Sequence, residues 1–258
     1  MMNNPTIDKL NDLRLPGMAA EFERQLTNPS ANDVPFEHRV RSMVDHETTL
    51  RDNKRLQYLL KKARLPISSA CIEDIDYRSP RGLDKSAMLS ITSLDWVRSG
   101  YNVVMTGPSG TGKTWLANAL GNHACRLGLS CFFTRVPALT EDLFAAHATG
   151  TFNQTLEKLK KFDLLILDDW GIQPFPERAQ NDLLELIDSR IGTKSLIITS
   201  QLPMELWHGL MDSKTVADAV MDRVIHTSYH MPLSGETMRR HNAPGTKKEG
   251  RPAARAKK

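Results

Sequence analysis

The chain is predicted to fold as an α/β core with a mostly parallel sheet, preceded by a small all-helical domain. Three observations carry that prediction. Beyond Tyr101, short apolar runs alternate with helix-forming stretches: NVVMT, SCFFTR, DLLILDD, SLIITSQ and TSYHMPL. Such alternation is expected of parallel strands joined by crossover helices. Leu164-Leu165-Ile166-Leu167 is apolar at every position, as a strand covered on both faces must be. Before Pro66, apolar residues recur at helical spacing instead. At 258 residues the chain can bury one sizeable α/β core beside a smaller domain, and its 40% hydrophobic and 25% charged residues are those of an ordinary soluble globular protein.

Taken in order, residues 1–65 form the helical domain, 66–242 the α/β core and 243–258 a basic tail. Ile7, Leu10 and Leu13 mark a first helix, and Val40, Met43 and Val44 a second after the breaks at Pro29 and Pro35. A third, TLRDNKRLQYLLKKARLP, ends at Pro66. It carries Arg51, Lys54, Arg55, Lys61 and Lys62 among leucines, which reads either as a solvated outer face or as a surface for DNA phosphates. A further helix is expected around Asp84 to Arg98. Lys158, Lys160 and Lys161 in TLEKLKKF pose the same choice of a solvated face or DNA contact. The tail reads as disordered, either solubilising or touching nucleic acid without specificity.

The N-terminus MMNNPTIDKLNDLRL has no apolar signal region, and no apolar run reaches membrane-spanning length. Cys71, Cys125 and Cys131 follow neither a metal-ligand nor a disulfide spacing. A reducing cytoplasm is the expected location, with no membrane partner.

Residues 107–114 read GPSGTGKT and satisfy G-x-x-x-x-G-K-[ST] at each constrained position. In that pattern backbone N–H groups turn inward around phosphate oxygens, a lysine reaches the β and γ phosphates, and a hydroxyl ligates Mg²⁺. The cradle is Gly107, Pro108, Ser109, Gly110, Thr111 and Gly112, continued by Lys113, Thr114 and Trp115 at the start of a helix. A helix N-terminus directs its unpaired N–H groups at the anion. ATP with Mg²⁺ is the expected ligand pair.

The apolar run at Leu164–Leu167 ends in Asp168-Asp169. A carboxylate at a strand's C-terminal end lies where open α/β sheets bind ligands. Asp168, with Thr114, is the candidate to hold Mg²⁺; Asp169 is the candidate to polarise an attacking water. Alternatively the pair caps the turn at Gly171. SLIITSQ ends beside them, and Gln201 has the reach to hold the water or the γ-phosphate, while Thr199 and Ser200 can satisfy strand-end backbone.

These pieces in this order resemble the AAA+ ATPases. The chain as a whole resembles the IstB type of ATP-binding transposition helper, related to DnaC-like helicase loaders. The likeness runs through KLNDLRLPGMAAEFERQL, ACIEDIDYRSPRGLDKS, NVVMTGPSGTGKTWLANAL, LLILDDWG, SLIITSQLP, DAVMDRVIH and LSGETMRR. It implies an oligomeric ATPase that binds duplex DNA largely without sequence preference and acts on a partner transposase. It also implies nucleotide sites at subunit interfaces, with Arg223 of DAVMDRVIH as an arginine finger for the neighbouring subunit's ATP; the alternative is an ion pair with Asp218 or Asp222. Arg239 or Arg240 would be a second phosphate sensor.

Two departures qualify the resemblance. Asp169 stands where many AAA+ proteins have Glu, which implies slow hydrolysis. The chain has no room for a C-terminal lid domain, so closure over the nucleotide falls to residues 72–82 or to a neighbour. The alternative function is a replicative helicase loader, which differs only in its partner. A phosphate-transferring kinase would need an acceptor pocket that no segment supplies, and a DNA-coating protein that binds ATP without hydrolysis is the remaining reading.

Overall fold

The computed structural model describes residues 4–238, and the chain divides into two compact units at Lys61/Lys62. The expectations for Arg239, Arg240 and residues 243–258 fall outside the described residues.

The first unit is helical. In α1 (Pro5–Asp12), the Asn4 side chain accepts the Thr6 N–H at 3.0 Å and proline opens the first turn. It is followed by α2 (Pro16–Thr27) and α3 (Phe36–Ala63). The second and third helices expected from the sequence are one continuous helix of 28 residues. No Gly or Pro interrupts it, and the Thr48 and Thr49 hydroxyls fold back onto the carbonyls of Val44 and Asp45 at 3.0 and 2.8 Å rather than competing for helix N–H groups. At Gly17 a Cβ would stand 2.7 Å from Glu47 Cα, so α2 and α3 pack in direct contact there. The buried Glu47 carboxylate accepts the Gly17 and Met18 N–H groups at 2.6 and 3.2 Å, capping α2 from a neighbouring helix. Burial would push that carboxyl up, but the Arg51 guanidinium and the two N–H donors outweigh it and hold the pKa below its usual value.

The second unit is built on five parallel strands in the order β2-β3-β4-β1-β5: β1 (Asn102–Thr106), β2 (Cys131–Arg135), β3 (Leu164–Trp170), β4 (Ser195–Ser200) and β5 (Ser228–Pro232). Crossover helices follow the strands: α6 (Lys113–Arg126) after β1, α7 (Val136–Ala148) and α8 (Phe152–Lys160) after β2, α9 (Glu177–Asp188) after β3 and α10 (Lys214–Ile225) after β4. Leu164 through Leu167 are fully buried, as their unbroken apolar run requires. No lid domain follows the sheet among the described residues.

The single helix expected over residues 84–98 is two, α4 (Lys85–Thr92) and α5 (Asp95–Arg98). The break is at Leu94, whose φ of 57° reverses the chain so that Leu94 and Trp96 are both buried. Tertiary burial here overrides helix propensity.

Pairing of β3 with β4 runs regularly to Leu167↔Ile198 and resumes at Trp170↔Ser200. Two residues, Asp168 and Asp169, therefore oppose Thr199 alone. That is a β-bulge, and it turns Asp169 to φ 61°.

Candidate nucleotide-binding site

The loop from Gly107 to Gly112 joins β1 to α6. Its backbone needs glycine where the chain turns left-handed: φ is 139° at Gly107 and 96° at Gly112. A Cβ on Gly107 would collide with the Leu233 carbonyl, and one on Gly112 would stand 2.6 Å from Arg81 Nη1. Gly112 is also the N-cap of α6, without a side-chain cap. The first-turn N–H groups of that helix are thus left to whatever lies in the loop, which is how helix N-termini receive phosphate. Lys113 lies along the loop, its Nζ donating to the Gly107 and Pro108 carbonyls at 2.6 and 2.9 Å.

β1, β3 and β4 end side by side and bring Thr114, Asp168 and Thr199 together. The Thr114 hydroxyl donates to the Asp168 carboxylate at 2.9 Å, and the Thr199 hydroxyl donates to the same carboxylate at 2.5 Å. Thr199 Oγ1 in turn accepts the Asp169 N–H at 3.2 Å, tying the bulge to β4. Asp168 is 3% exposed, and burial pushes its carboxyl above the usual range despite the two hydroxyls. A desolvated carboxylate and a threonine hydroxyl within 2.9 Å form a hard-oxygen donor set that suits Mg²⁺.

Asp169 faces a different environment. Arg135, at the end of β2, donates to its Oδ2 through Nε at 2.7 Å and through a terminal nitrogen at 2.6 Å. Its backbone carbonyl accepts the Ile172 N–H at 3.4 Å, within the turn that contains Gly171.

A cavity of about 1040 Å³ lies over these groups. Ser109, Gly110, Gly112, Lys113, Thr114, Trp115, Asp168, Asp169 and Gln201 line it, together with Arg135. Asp74, Asp76, Ser79 and Arg81 of the connector and Met238 form the opposite wall. Gln201 is exposed at its edge. Arg223 is outside this lining. It lies on α10 and pairs with Asp188 of α9, with a further bond from Nη1 to the Ala219 carbonyl at 3.0 Å. The ion pair thus forms with Asp188 rather than with Asp218 or Asp222.

The basic residues separate by use. Arg51 braces Glu47 at 2.6 Å and the Arg14 carbonyl at 3.0 Å. Lys54, Arg55, Lys61 and Lys62 are exposed on α3. Lys160 pairs with Glu157 at 3.0 Å, while Lys158 and Lys161 are exposed.

Sequence reasoning passed over Arg135 and Arg81 and read Thr199 as a backbone partner only. Lone polar residues at strand ends carry no spacing signature. The one available signal was that Arg135 and Thr199 terminate apolar runs just as Asp168 does.

Residues 8–245 match the family described as IstB-like ATP binding protein. A protein named for ATP binding in insertion sequence IS1162 of Pseudomonas fluorescens is 48% identical over 203 residues, 79% of this chain and 88% of its own. The insertion-sequence protein y4pL of Sinorhizobium fredii, also named for ATP binding, is 40% identical over 241 residues, 93% of this chain and 98% of its own. Among solved structures, DnaI superposes with a TM-score of 0.56 at 22% identity, covering 65% of this chain and 92% of that one. The DnaC helicase loader superposes at 0.53 and 17%, covering 64% and 97%. At those identities the likeness speaks for the fold, an α/β P-loop fold of the AAA+ type. No described helix is long and apolar enough to cross a membrane. With a phosphate loop, an Asp-ended strand beside it and a family match along most of its length, the chain belongs to the IstB-like ATP-binding proteins of insertion sequences.

Proposed function

We propose that this protein is a cytoplasmic ATPase of transposition that assembles on duplex DNA, largely without regard to sequence, and recruits or stimulates a partner transposase. The observation that supports it most is the meeting of Lys113, Thr114 and Asp168 in one cavity, in a chain of an insertion-sequence family. Thr114 and Asp168 are the groups that would hold Mg²⁺, which when bound neutralises charge on the β- and γ-phosphate oxygens. Lys113 and the loop N–H groups hold the triphosphate. Asp169 orients water and accepts its proton as the water oxygen bonds to the γ-phosphorus and the β–γ bridging oxygen departs. Gln201 reaches the same region as a neutral hydrogen-bonding group.

Arg223, outside its own chain's cavity, serves the site of a neighbouring subunit in this reading. DNA phosphates meet the exposed lysines and arginines of α3 and α8, so affinity should fall steeply with salt. The test is to mix two inactive variants. Arg223→Ala should bind ATP but hydrolyse it slower by about 10³-fold or more. Lys113→Ala should fail to bind ATP yet still donate its arginine. Mixing them on DNA should restore part of the activity, in proportion to the mixing ratio. Co-assembled variants that stay inactive at every ratio would defeat the shared-site reading.

A further inference from the structure

Arg81 is a buried cation in the cavity wall that forms no ion pair with a carboxylate among the described residues. The residue is 4% exposed. One terminal nitrogen donates to the Thr111 carbonyl of the phosphate loop at 3.2 Å, the other to the Asp76 carbonyl of the connector at 2.9 Å. Its buried Nε meets no acceptor among the described residues. None of the ion pairs among the described residues includes it. The Asp76 carboxylate acts on it only at a distance, being engaged by the Arg78 N–H at 2.8 Å and the Ser79 hydroxyl at 2.5 Å.

Arg190 provides a contrast. It too is buried, has an Nε without an acceptor and joins no ion pair among the described residues, but its two terminal nitrogens satisfy three carbonyls, those of Leu159, Phe162 and Ser195, and it is no part of the cavity lining. That is a staple between backbone segments. Arg81 makes fewer bonds and stands against Gly112, whose neighbours are Lys113 and the N-terminus of α6. A desolvated guanidinium without a counter-charge is unfavourable, and a bound anion offsets that cost.

We propose that Arg81 is a second phosphate-directed cation of this site, supplied by the connector, whose charge is balanced by a bound nucleoside polyphosphate. It is a positioning residue: its bond to Thr111 holds the loop, and its field adds to that of Lys113 across the Gly112 wall. It therefore favours nucleotides with more phosphates. The inference rests on nucleotide binding in the cavity and is independent of hydrolysis, assembly and DNA.

The experiment compares ATP, ADP and AMP binding, with Mg²⁺, to the full-length wild-type chain and to Arg81→Met and Arg81→Lys. Thermal unfolding is measured without nucleotide. Arg81→Met should lose about 10-fold or more in ATP affinity and about 3-fold or less for AMP, with ADP between them. Without nucleotide, Arg81→Met exchanges the uncompensated charge for two carbonyls left without the Arg81 donors, so thermal unfolding serves to show that the variant folds. Arg81→Lys should keep the preference for ATP over AMP. Equal losses for all three nucleotides or unchanged ATP affinity would overturn the role and make Arg81 a staple like Arg190, and where the Met variant does not fold, loss of the ATP preference in Arg81→Lys does the same. A wild-type chain that binds none of the three would overturn the nucleotide assignment itself, and this role with it.

Discussion

Asp168 and Asp169 are adjacent in sequence, yet the first is 3% exposed between the hydroxyls of Thr114 and Thr199, while the second is turned by the bulge onto Arg135 at the cavity wall. The contrast extends to the groups around them. On the binding side, Lys113, Thr114 and Thr199 are anchored to the loop and to strand ends within one chain. On the side assigned to hydrolysis, Asp169 is engaged by Arg135, Gln201 is exposed and Arg223 is paired with Asp188. Preorganised groups favour tight binding, whereas groups held in other ion pairs must exchange partners before they act. Under the proposed function, this difference is the physical basis for holding ATP readily and hydrolysing it only on assembly.

Asp169→Asn is the sharpest test of that division. It should slow single-turnover hydrolysis by about 10²-fold or more and leave ATP affinity within about 3-fold. Asp168→Asn should instead weaken Mg²⁺-dependent ATP binding; matching losses in the two variants would erase the division. Thr199→Val should come next. It leaves the Asp169 N–H and one Asp168 oxygen without their partner, costing about 1–3 kcal/mol in thermal or denaturant unfolding.

A smaller effect follows from pH. Burial raises the Asp168 pKa in the folded chain, so the folded form takes up a proton at a pH where the unfolded chain is still ionised. The penalty for the buried charge is therefore present at neutral pH and disappears as pH falls through the folded pKa. Asp168→Asn should melt higher than wild type at neutral pH, with the gap closing toward acid; a gap that widens toward acid contradicts the burial argument. Smallest is Arg135→Ala, whose partly exposed ion pair adds little to stability. It should change the hydrolysis rate by roughly 2- to 5-fold without moving the melting temperature measurably.

The parts legible in the sequence were those with local signatures. The octet GPSGTGKT marks a phosphate loop because each constrained residue answers a backbone or charge requirement of that loop, and the run ending in Asp168 marks a strand buried on both faces. Helix limits were less legible. Thr48 and Thr49 resemble an interruption until their hydroxyls are seen folded onto α3, and Leu94 has no feature that announces a left-handed turn. Arg135 and Thr199 were invisible for another reason: their significance depends on strand order and on a bulge, both set by pairing between distant segments, whereas Arg81 gains its significance only where the connector meets Thr111 of the phosphate loop.

The position of β1 has a consequence for biosynthesis. This strand carries the phosphate loop, yet both of its partners, β4 and β5, come some ninety or more residues later in the sequence. The loop itself is fastened by still later residues: the Leu233 N–H donates to the Thr106 carbonyl at 2.7 Å and the Met238 N–H to the Gly110 carbonyl at 2.8 Å. A chain emerging from the ribosome thus exposes its GPSGTGKT segment long before it can shape it. Nucleotide capture becomes a late event in the life of the nascent polypeptide, and a product interrupted before residue 233 carries the motif without either of these fastenings.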